Sequence, residues 1–269
     1  MTGQLKLMCV LAHPDDETLG HGGLIAKYAA EGVEVYLITA THGERGWSGY
    51  PAEDPGEAAM GRLREAELRE ATRVLGVREL ILLDYIDGDL DRADPAKIVG
   101  QIVTQVRRIQ PQVVTTFDPF GAYGHPDHIA ICQFAQAALV CAADASYVDA
   151  LRQPPHRVAK LYWQVDSMNF VKAYEPIIGP ITMPVDGEER RAVPFPEWAI
   201  TTRIDAEKYW RVVSEAAYKH VSQMFNFPRA DQLSEETHKL LWGHPTLYRA
   251  YSLVNGGRTV EPDIFEGLR

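Results

Sequence analysis

The chain has 269 residues, of which 46% are hydrophobic, as expected for a folded globular protein built around one large domain. Its net charge of −10 disfavours a surface for nucleic acid or an anionic membrane, because both need a basic patch. No apolar run approaches the roughly 20 residues of a membrane helix, and the N-terminus lacks a basic, apolar signal segment. The sequence therefore predicts a cytoplasmic protein without a membrane span.

The first half of the chain alternates apolar runs with helical patterns. The predicted strands are Leu5–Ala12, Val33–Thr39, Glu79–Leu83 and Val113–Phe117, and the predicted helices are 18–31, 57–75, 95–109 and 127–142. This alternation predicts right-handed crossovers and a parallel sheet. The expected fold class is α/β, a Rossmann-like three-layer α/β/α sandwich with a mostly parallel sheet.

The pattern weakens after the predicted core, residues 1–145. A strand within 157–165 and a helix over Asp205–His220, with Asp205 as its N-cap, are the clearest elements. Five prolines make 175–198 an irregular stretch, which we expect to cover the site. We therefore interpret 146–269 as an irregular C-terminal extension that completes the sheet within one domain spanning residues 1–269.

Polar side chains cluster where three of the predicted strands end. The clusters are 13–17, 41–45 and 118–128. In parallel sheets, ligands bind beyond the carboxyl ends of the strands. We therefore expect these three loops to meet at one functional site.

The segments "HPDDE" and "GHPDH" carry residues that can bind a metal. His13 and Asp16 lie three residues apart, and the second segment offers His125, Asp127 and His128. Two histidines and one carboxylate with an open position suit catalytic zinc, but also a non-haem Fe(II) site, so the ligand set leaves both metals open.

Hydrolysis at such a metal also needs proton-transferring groups. Asp15 stands beside the candidate ligands and is the natural general base. Whichever histidine of "GHPDH" is not a ligand is the natural electrostatic partner and acid, with its pKa held up by Asp127. Glu17 is expected to lie in the first turn of the next helix, where it complements the helix dipole.

The roles of several other residues near the clusters can be interpreted in two ways. Glu44 and Trp47, in the loop after the second strand, either contact substrate or belong to a solvated surface loop. Asp118 either orients a ligand histidine or caps the turn at Pro119. The glycines at 20, 22 and 23 are expected to let the first helix pack closely under the metal-binding loop, instead of forming a dinucleotide site.

The segments "AHPDDETLG", "THGE" and "YGHPDH", in this order and spacing, resemble the LmbE-like (PIG-L-type) zinc-dependent deacetylases. The resemblance covers about the first 145 residues. Members of that family remove acetyl groups from N-acetylglucosaminyl-inositol lipids, from precursors of low-molecular-weight thiols and from antibiotic glycosides.

The resemblance implies a role for each matching residue. The implied zinc ligands are His13, Asp16 and His128, and Asp15 is implied to be the base that deprotonates the attacking water. His125, oriented by Asp127, is implied to steady the oxyanion and to protonate the departing amine. Tyr123 is similar to a tyrosine that faces the oxyanion, and Arg64 to an arginine that contacts substrate hydroxyls.

The expected function is therefore zinc-dependent N-deacetylation of a small amino-sugar conjugate. An amidase for another acyl group, of the thiol-conjugate type, is the alternative within the same chemistry. A phosphoesterase with two metal ions and a metal-stabilised binding module are the alternatives from other classes. A homo-oligomer is compatible with the sequence.

Overall fold

The computed structural model describes residues 3–47, 49–225, 227–255, 257 and 259–269. The strands are β1 (Lys6–Leu11), β2 (Glu34–Thr41), β3 (Glu79–Tyr85), β4 (Val113–Phe117), β5 (Lys160–Gln164), β6 (Thr182–Val185), β7 (Glu188–Arg191), β8 (Thr202–Arg203) and β9 (Thr246–Ser252). The α-helices are α1 (Asp16–Leu19), α2 (Gly22–Ala30), α3 (Glu57–Leu75), α4 (Pro95–Ile109), α5 (Gly121–Gly124), α6 (Pro126–Ala143), α7 (Met168–Ile178), α8 (Trp210–Ala217) and α9 (Glu235–Trp242). Short 3₁₀ helices occur at Pro51–Glu53, Leu90–Arg92, Glu197–Ala199, Glu207–Tyr209 and Ala230–Gln232.

The central sheet has the strand order β3-β2-β1-β4-β5-β9-β8. The first five strands in this order run parallel, and β9 is antiparallel to both of its neighbours. The prediction of an α/β fold with a mostly parallel sheet is confirmed. Because strand order reverses at β1, a crevice opens beyond the carboxyl ends of β1 and β4, where such folds bind ligands.

The prediction of one continuous helix over 18–31 is wrong. The chain instead forms α1 and α2, separated at Gly20 and His21, where the buried His21 ring approaches Thr115 of β4. Gly22 and Gly23 do allow close packing, but the residues that pack against them lie in the second half of the chain. A Cβ on Gly22 would lie 2.5 Å from Val213 Cγ1, and a Cβ on Gly23 would lie 2.5 Å from the Trp242 carbonyl oxygen.

The second half is more regular than predicted. The stretch 175–198 contains the end of α7 and the hairpin β6–β7, whose turn residues Asp186 and Gly187 both have positive φ, at 52° and 84°. A two-residue Asp-Gly turn of this kind is a recognised hairpin signal. The helix predicted over Asp205–His220 is shorter than predicted. The 3₁₀ turn Glu207–Tyr209 leads into α8, and Asp205 accepts a hydrogen bond from the Glu207 N–H at the start of that turn.

None of the helices in the described part of the chain combines the length and the apolar character needed to cross a bilayer.

A buried charge cluster joins the C-terminal segment to the sheet. The Glu261 carboxylate lies 2.9 Å from Lys160 Nζ and 2.7 Å from Arg249 Nη1, and it accepts a 2.7 Å hydrogen bond from Tyr162 Oη. The Glu261 side chain is only 2% exposed, so removing it would leave two cations without their buried partner.

We expect Glu261→Ala to lower the free energy of unfolding by about 3–5 kcal/mol, the usual effect of breaking a buried ion pair. The exposed neighbour Glu266 provides the control, since Glu266→Ala should change stability by less than about 0.5 kcal/mol. Urea denaturation of both variants measures the difference. Equal stabilities would contradict a stabilising role for the cluster.

Candidate functional site

The candidate site lies beyond the carboxyl ends of the parallel strands. The turn after β1 carries His13, Asp15 and Asp16, and the loop between β4 and α6 carries His125 and His128. All five line one cavity of about 510 Å³. The predicted polar clusters 13–17 and 118–128 therefore meet here. The loop after β2 contributes Gly46 to the cavity lining, and the carbonyl of Gly43 in the same loop accepts a hydrogen bond from Arg64.

Three donor groups converge at the floor of this cavity. His13 Nδ1 and His128 Nε2 lie 3.2 Å apart, and the Asp16 carboxylate lies 3.6 Å from the first nitrogen and 3.4 Å from the second. Ligand atoms bound tetrahedrally at zinc distances are separated by roughly 3.3–3.4 Å. The three buried groups thus have the spacing that a single divalent cation requires. The imidazoles of His13 and His128 lower the pKa of Asp16, although burial raises it.

His13 is held from its other side by two carboxylates. Its Nε2 lies 3.1 Å from Asp127 Oδ2 and 3.1 Å from Asp87 Oδ1. Burial lowers the pKa of His13, but these hydrogen bonds outweigh burial and raise it to about 10. An imidazole that donates from Nε2 is oriented with Nδ1 toward the metal position, the usual arrangement around metal-binding histidines.

The predicted role of Asp127 needs correction. Its carboxylate does not contact the His125 side chain; it binds His13 and accepts hydrogen bonds from the Gly88 and Leu90 N–H groups, at 2.7 and 3.1 Å. These backbone contacts fix the carboxylate behind the site. Asp127 contacts His125 through its backbone N–H, and its charge raises the pKa of His125.

His125 is the N-cap of α6, because its Nδ1 accepts a 3.1 Å hydrogen bond from the Asp127 N–H. A ring whose Nδ1 accepts must carry its proton on Nε2, so His125 is a neutral hydrogen-bond donor at the cavity. Burial and the neighbouring imidazoles of His13 and His128 lower the pKa of His125 to about 3. Asp127 does raise this pKa, as predicted, but burial and the two imidazoles outweigh its effect.

Asp15 lies in the turn between β1 and α1 with a φ of 108°, an uncommon conformation for a residue with a side chain. Burial raises the pKa of Asp15 to about 6, although Arg64 lowers it. Arg64 Nη2 donates to Asp15 Oδ2 at 3.1 Å, and the same guanidinium binds the carbonyls of Pro14 and Gly43. In the structure the contacts of Arg64 anchor the candidate base. Arg64 also lines the cavity, and its predicted contact with substrate hydroxyls stays a prediction.

A buried pair that the sequence analysis missed supports the same turn. Glu17 lies in the first turn of α1, as predicted, and its carboxylate accepts a 3.0 Å hydrogen bond from the Asp15 N–H. The other Glu17 oxygen lies 2.7 Å from Nε2 of His220, which is 203 residues away in sequence, and both side chains are fully buried. No local pattern indicates this pair. Asp87 was missed although the acidic "DYIDGD" segment begins at the end of β3.

Glu44 and Trp47 do not belong to the described lining of the cavity. Glu44 accepts a 3.1 Å hydrogen bond from the Asp87 N–H, and the Trp47 indole donates to the Tyr50 carbonyl at 3.0 Å. Their side chains are engaged in holding neighbouring loops. Asp118 accepts from the Phe120 and Ala122 N–H groups, so it caps its turn.

Tyr123 does line the cavity. Its ring makes edge contacts with the rings of His125 and His128, at centroid distances of 6.0 and 5.3 Å. The structure therefore brings Tyr123 together with the two predicted histidines of this loop.

Comparisons with known proteins show what the chain is similar to. Residues 8–139 match the family described as PIG-L, GlcNAc-PI de-N-acetylase. The 1D-myo-inositol 2-acetamido-2-deoxy-alpha-D-glucopyranoside deacetylase of Rhodococcus jostii (strain RHA1) is 36% identical, over 98% of both chains. The Mycothiol S-conjugate amidase of Streptomyces coelicolor (strain ATCC BAA-471 / A3(2) / M145) is 29% identical, over 100% of this chain and 99% of its own. The N,N'-diacetylchitobiose deacetylase structure from Pyrococcus horikoshii shares the fold, with a TM-score of 0.67 at 20% identity over 92% of this chain and 84% of its own.

Proposed function

Because the chain belongs to the GlcNAc-PI de-N-acetylase (PIG-L) family, we propose that it is a zinc-dependent deacetylase acting on an N-acetylglucosamine-type conjugate. The relative from R. jostii is named for a deacetylase of this kind. The observation that carries the proposal is the convergence of His13, Asp16 and His128 beside the carboxylate of Asp15, which is partly buried. A metal site and an adjacent base are what hydrolysis of an unreactive amide requires.

The proposed zinc ligands are His13 Nδ1, His128 Nε2 and the Asp16 carboxylate. The mixed nitrogen and oxygen donors and their spacing fit zinc, and the family membership favours zinc over iron. When bound, zinc would polarise the amide carbonyl as a Lewis acid and would lower the pKa of the attacking water.

Asp15 is the proposed general base. Arg64 and the Glu17 contact hold its carboxylate and its backbone in place, so the carboxylate is oriented before substrate arrives. As the oxygen of water forms its bond to the acyl carbon, Asp15 takes the released proton. When the bond between carbon and nitrogen breaks, the protonated Asp15 returns that proton to the departing amine, and acetate is the second product.

His125 and Tyr123 are the proposed partners of the oxyanion. Since His125 Nδ1 accepts from the Asp127 N–H, the proton on Nε2 is available for donation to the oxygen of the attacked carbonyl. The neutral ring carries no additional proton for the amine. We therefore assign amine protonation to Asp15 instead of His125, and the structural reason is the occupied Nδ1.

Two other reactions remain as alternatives with distinct predictions. A thiol-conjugate amidase would use the same groups on a different acyl amide, and the relative from S. coelicolor is named for such an activity. A phosphoesterase with two metal ions would need a second site, for which the structure offers His13, Asp87 and Asp127. This second group shares His13, and Asp127 is already bound by two backbone N–H groups, so we favour one metal per chain.

The experiment that tests the function compares three substrate classes on zinc-loaded protein. These are an N-acetylglucosaminyl-inositol, an S-conjugate of a thiol carrying a larger acyl amide, and a phosphomonoester. We expect primary amine to form fastest from the first. Faster cleavage of the S-conjugate would assign the chain to the amidase reaction, and phosphate release with two zinc ions per chain would overturn the proposal.

Asp127 offers a test of the proposed support behind the ligand His13. Asp127→Asn keeps the shape of the side chain but removes the charge that faces His13 Nε2. We expect zinc affinity to fall about 10- to 100-fold, the usual effect of changing a residue that orients a metal-binding histidine. Competition with a chromophoric chelator measures this change, and the exposed Asp231→Asn serves as the control. An unchanged zinc affinity would contradict the orienting role.

A further inference from the structure

One carboxylate of the cavity has no role in the proposed hydrolysis. Asp166 lines the cavity just after the end of β5, the strand that pairs in parallel with β4. Because β5 is the second strand from β1 and neighbouring strands lie about 4.8 Å apart, Asp166 is about 10 Å to one side of the turn that carries His13. Asp166 is therefore placed to meet a part of the substrate other than the amide that is hydrolysed.

The sheet connects Asp166 to one of the proposed metal ligands. Gln164 is paired in register with Phe117, and the Phe117 ring stacks on the ring of His128 at 3.8 Å. Gln164 Nε2 donates a 3.0 Å hydrogen bond to Asp166 Oδ1, which orients the carboxylate. A substrate that contacts both the metal and Asp166 would thus be held between two points of one rigid sheet edge.

The second oxygen of the Asp166 carboxylate lacks a protein partner. Among the residues that the structure describes, no group donates a hydrogen bond to Oδ2, and no lysine or arginine pairs with the carboxylate. Burial raises the pKa of Asp166 to about 6; the hydrogen bond from Gln164 lowers it, and the negative charge of Asp118 raises it. A carboxylate has about four acceptor positions, and leaving them unused away from bulk water is costly. The cavity thus presents an acceptor that suits a ligand with hydrogen-bond donors.

The space beside Asp166 is open on two sides. In addition to the main cavity, Gln164 and Asp166 line a side pocket of about 40 Å³, and Asp166 itself is only partly buried. A pocket of this size has room for a hydroxyl group, since a water molecule needs about 10–15 Å³. Gly20 borders both spaces, and a Cβ there would lie 3.6 Å from Gln164 Oε1. The missing side chain at Gly20 therefore leaves room for a polar group next to this pair.

We infer that Asp166, oriented by Gln164, determines specificity by accepting hydrogen bonds from hydroxyl groups of the substrate. The inference rests on the proposed function and specifies the substrate at the same site. An amino-sugar conjugate offers such hydroxyls from two sources, the group attached to C1 of the sugar and the hydroxyl at C6. Both are donors of the same kind, so the carboxylate suits either one.

The test measures amine release from three substrates. The first is an N-acetylglucosaminyl-inositol, the second is cyclohexyl N-acetylglucosaminide, which lacks the inositol hydroxyls, and the third is the inositol conjugate without the hydroxyl at C6 of the sugar. The ratio of kcat/KM between the first substrate and each of the others measures the contribution of the missing hydroxyls. The change of that ratio between the parent and a variant isolates the part that depends on the mutated side chain.

Two variants of Asp166 remove the acceptor in steps. Asp166→Asn keeps the shape and an oxygen for Gln164 but removes the charge, and Asp166→Leu removes both acceptor oxygens. We expect one of the two ratios to fall by about tenfold or more in Asp166→Leu and by a smaller factor in Asp166→Asn, because hydrogen bonds to a charged group are the stronger ones. The loss should lie mainly in KM, since this contact is equally present before and during the reaction. The ratio that falls identifies the source of the hydroxyl.

The control is Asp91→Asn, at an exposed position outside the described cavity lining, which should keep both ratios of the parent. Zinc content should stay at one per chain in all variants, because Asp166 is not a proposed ligand. Thermal unfolding shows whether Asp166→Leu folds; if it does not, Asp166→Asn alone decides, with an expected fall of at least about threefold.

The outcomes separate the two levels of the proposal. Amine release with both ratios unchanged in the Asp166 variants would overturn the hydroxyl subsite and leave the deacetylase function intact. An equal fall in kcat/KM for all three substrates would show that Asp166 supports the site without reading hydroxyls, and would also overturn the inference. No amine release by the parent from any of the substrates would overturn the proposed function, and the inference with it.

Discussion

Replacing Asp15 with Asn is expected to lower kcat by about 10²- to 10⁴-fold, the usual contribution of a general base. The amide of asparagine has nearly the shape of the carboxylate, so the contact with Arg64 is partly kept, but it cannot accept a proton from water. Asp15 is not one of the three proposed ligands. The variant should therefore bind one zinc per chain, and KM should change much less than kcat.

The exposed carboxylate of Asp91, outside the described cavity lining, provides the matched control. Asp91→Asn should retain the parent rate. An Asp15→Asn variant that is loaded with zinc and turns over at the parent rate would remove Asp15 as the base. The mechanism would then need another proton acceptor, and Asp87, which also lines the cavity, would be the next to test.

Replacing His128 with Phe is expected to abolish zinc binding and catalysis together. The His128 ring stacks on Phe117 at 3.8 Å and 8°, an arrangement that another aromatic ring can keep. Phenylalanine has no nitrogen for the metal, which leaves two of the three proposed protein ligands. We expect zinc content after dialysis to fall from near one per chain to below about 0.1, with a loss of activity of at least about 10³-fold.

His244 provides the control for this variant because its side chain is 54% exposed. His244→Phe should keep both the zinc and the activity. Thermal unfolding of the metal-free proteins checks that His128→Phe still folds. A folded His128→Phe variant that retains one tightly bound zinc would contradict the proposed ligand set and would point to the group of His13, Asp87 and Asp127 instead.

The local sequence was informative where chemistry and secondary structure share a short segment. His13, Asp15 and Asp16 follow the central strand within one turn, and His125 and His128 lie on either side of a helix start marked by Pro126. Strand ends and helix starts are readable from apolar runs and prolines, so both clusters could be predicted to meet at one edge of the sheet.

Contacts between distant segments were not readable in the same way. The pairing of Glu17 with His220 and the part of the cavity lining that comes from α7 and α9 depend on how the second half packs against the first. The prediction that Asp127 orients His125 was wrong for a related reason. Its sequence neighbour is His125, but the start of α6 directs its carboxylate toward His13 and the loop after β3. The Asp186-Gly187 hairpin, by contrast, carried a local signal that the prolines around it obscured.

The most direct test of the account measures acetate and primary amine together, using an N-acetylglucosaminyl-inositol substrate and protein that carries one zinc per chain. We predict equal amounts of the two products, loss of both when the zinc is removed by a chelator, and recovery of both when one equivalent of zinc is restored. Amine release that continues at the same rate in the metal-free protein would contradict the central claim that His13, Asp16 and His128 hold a catalytic metal.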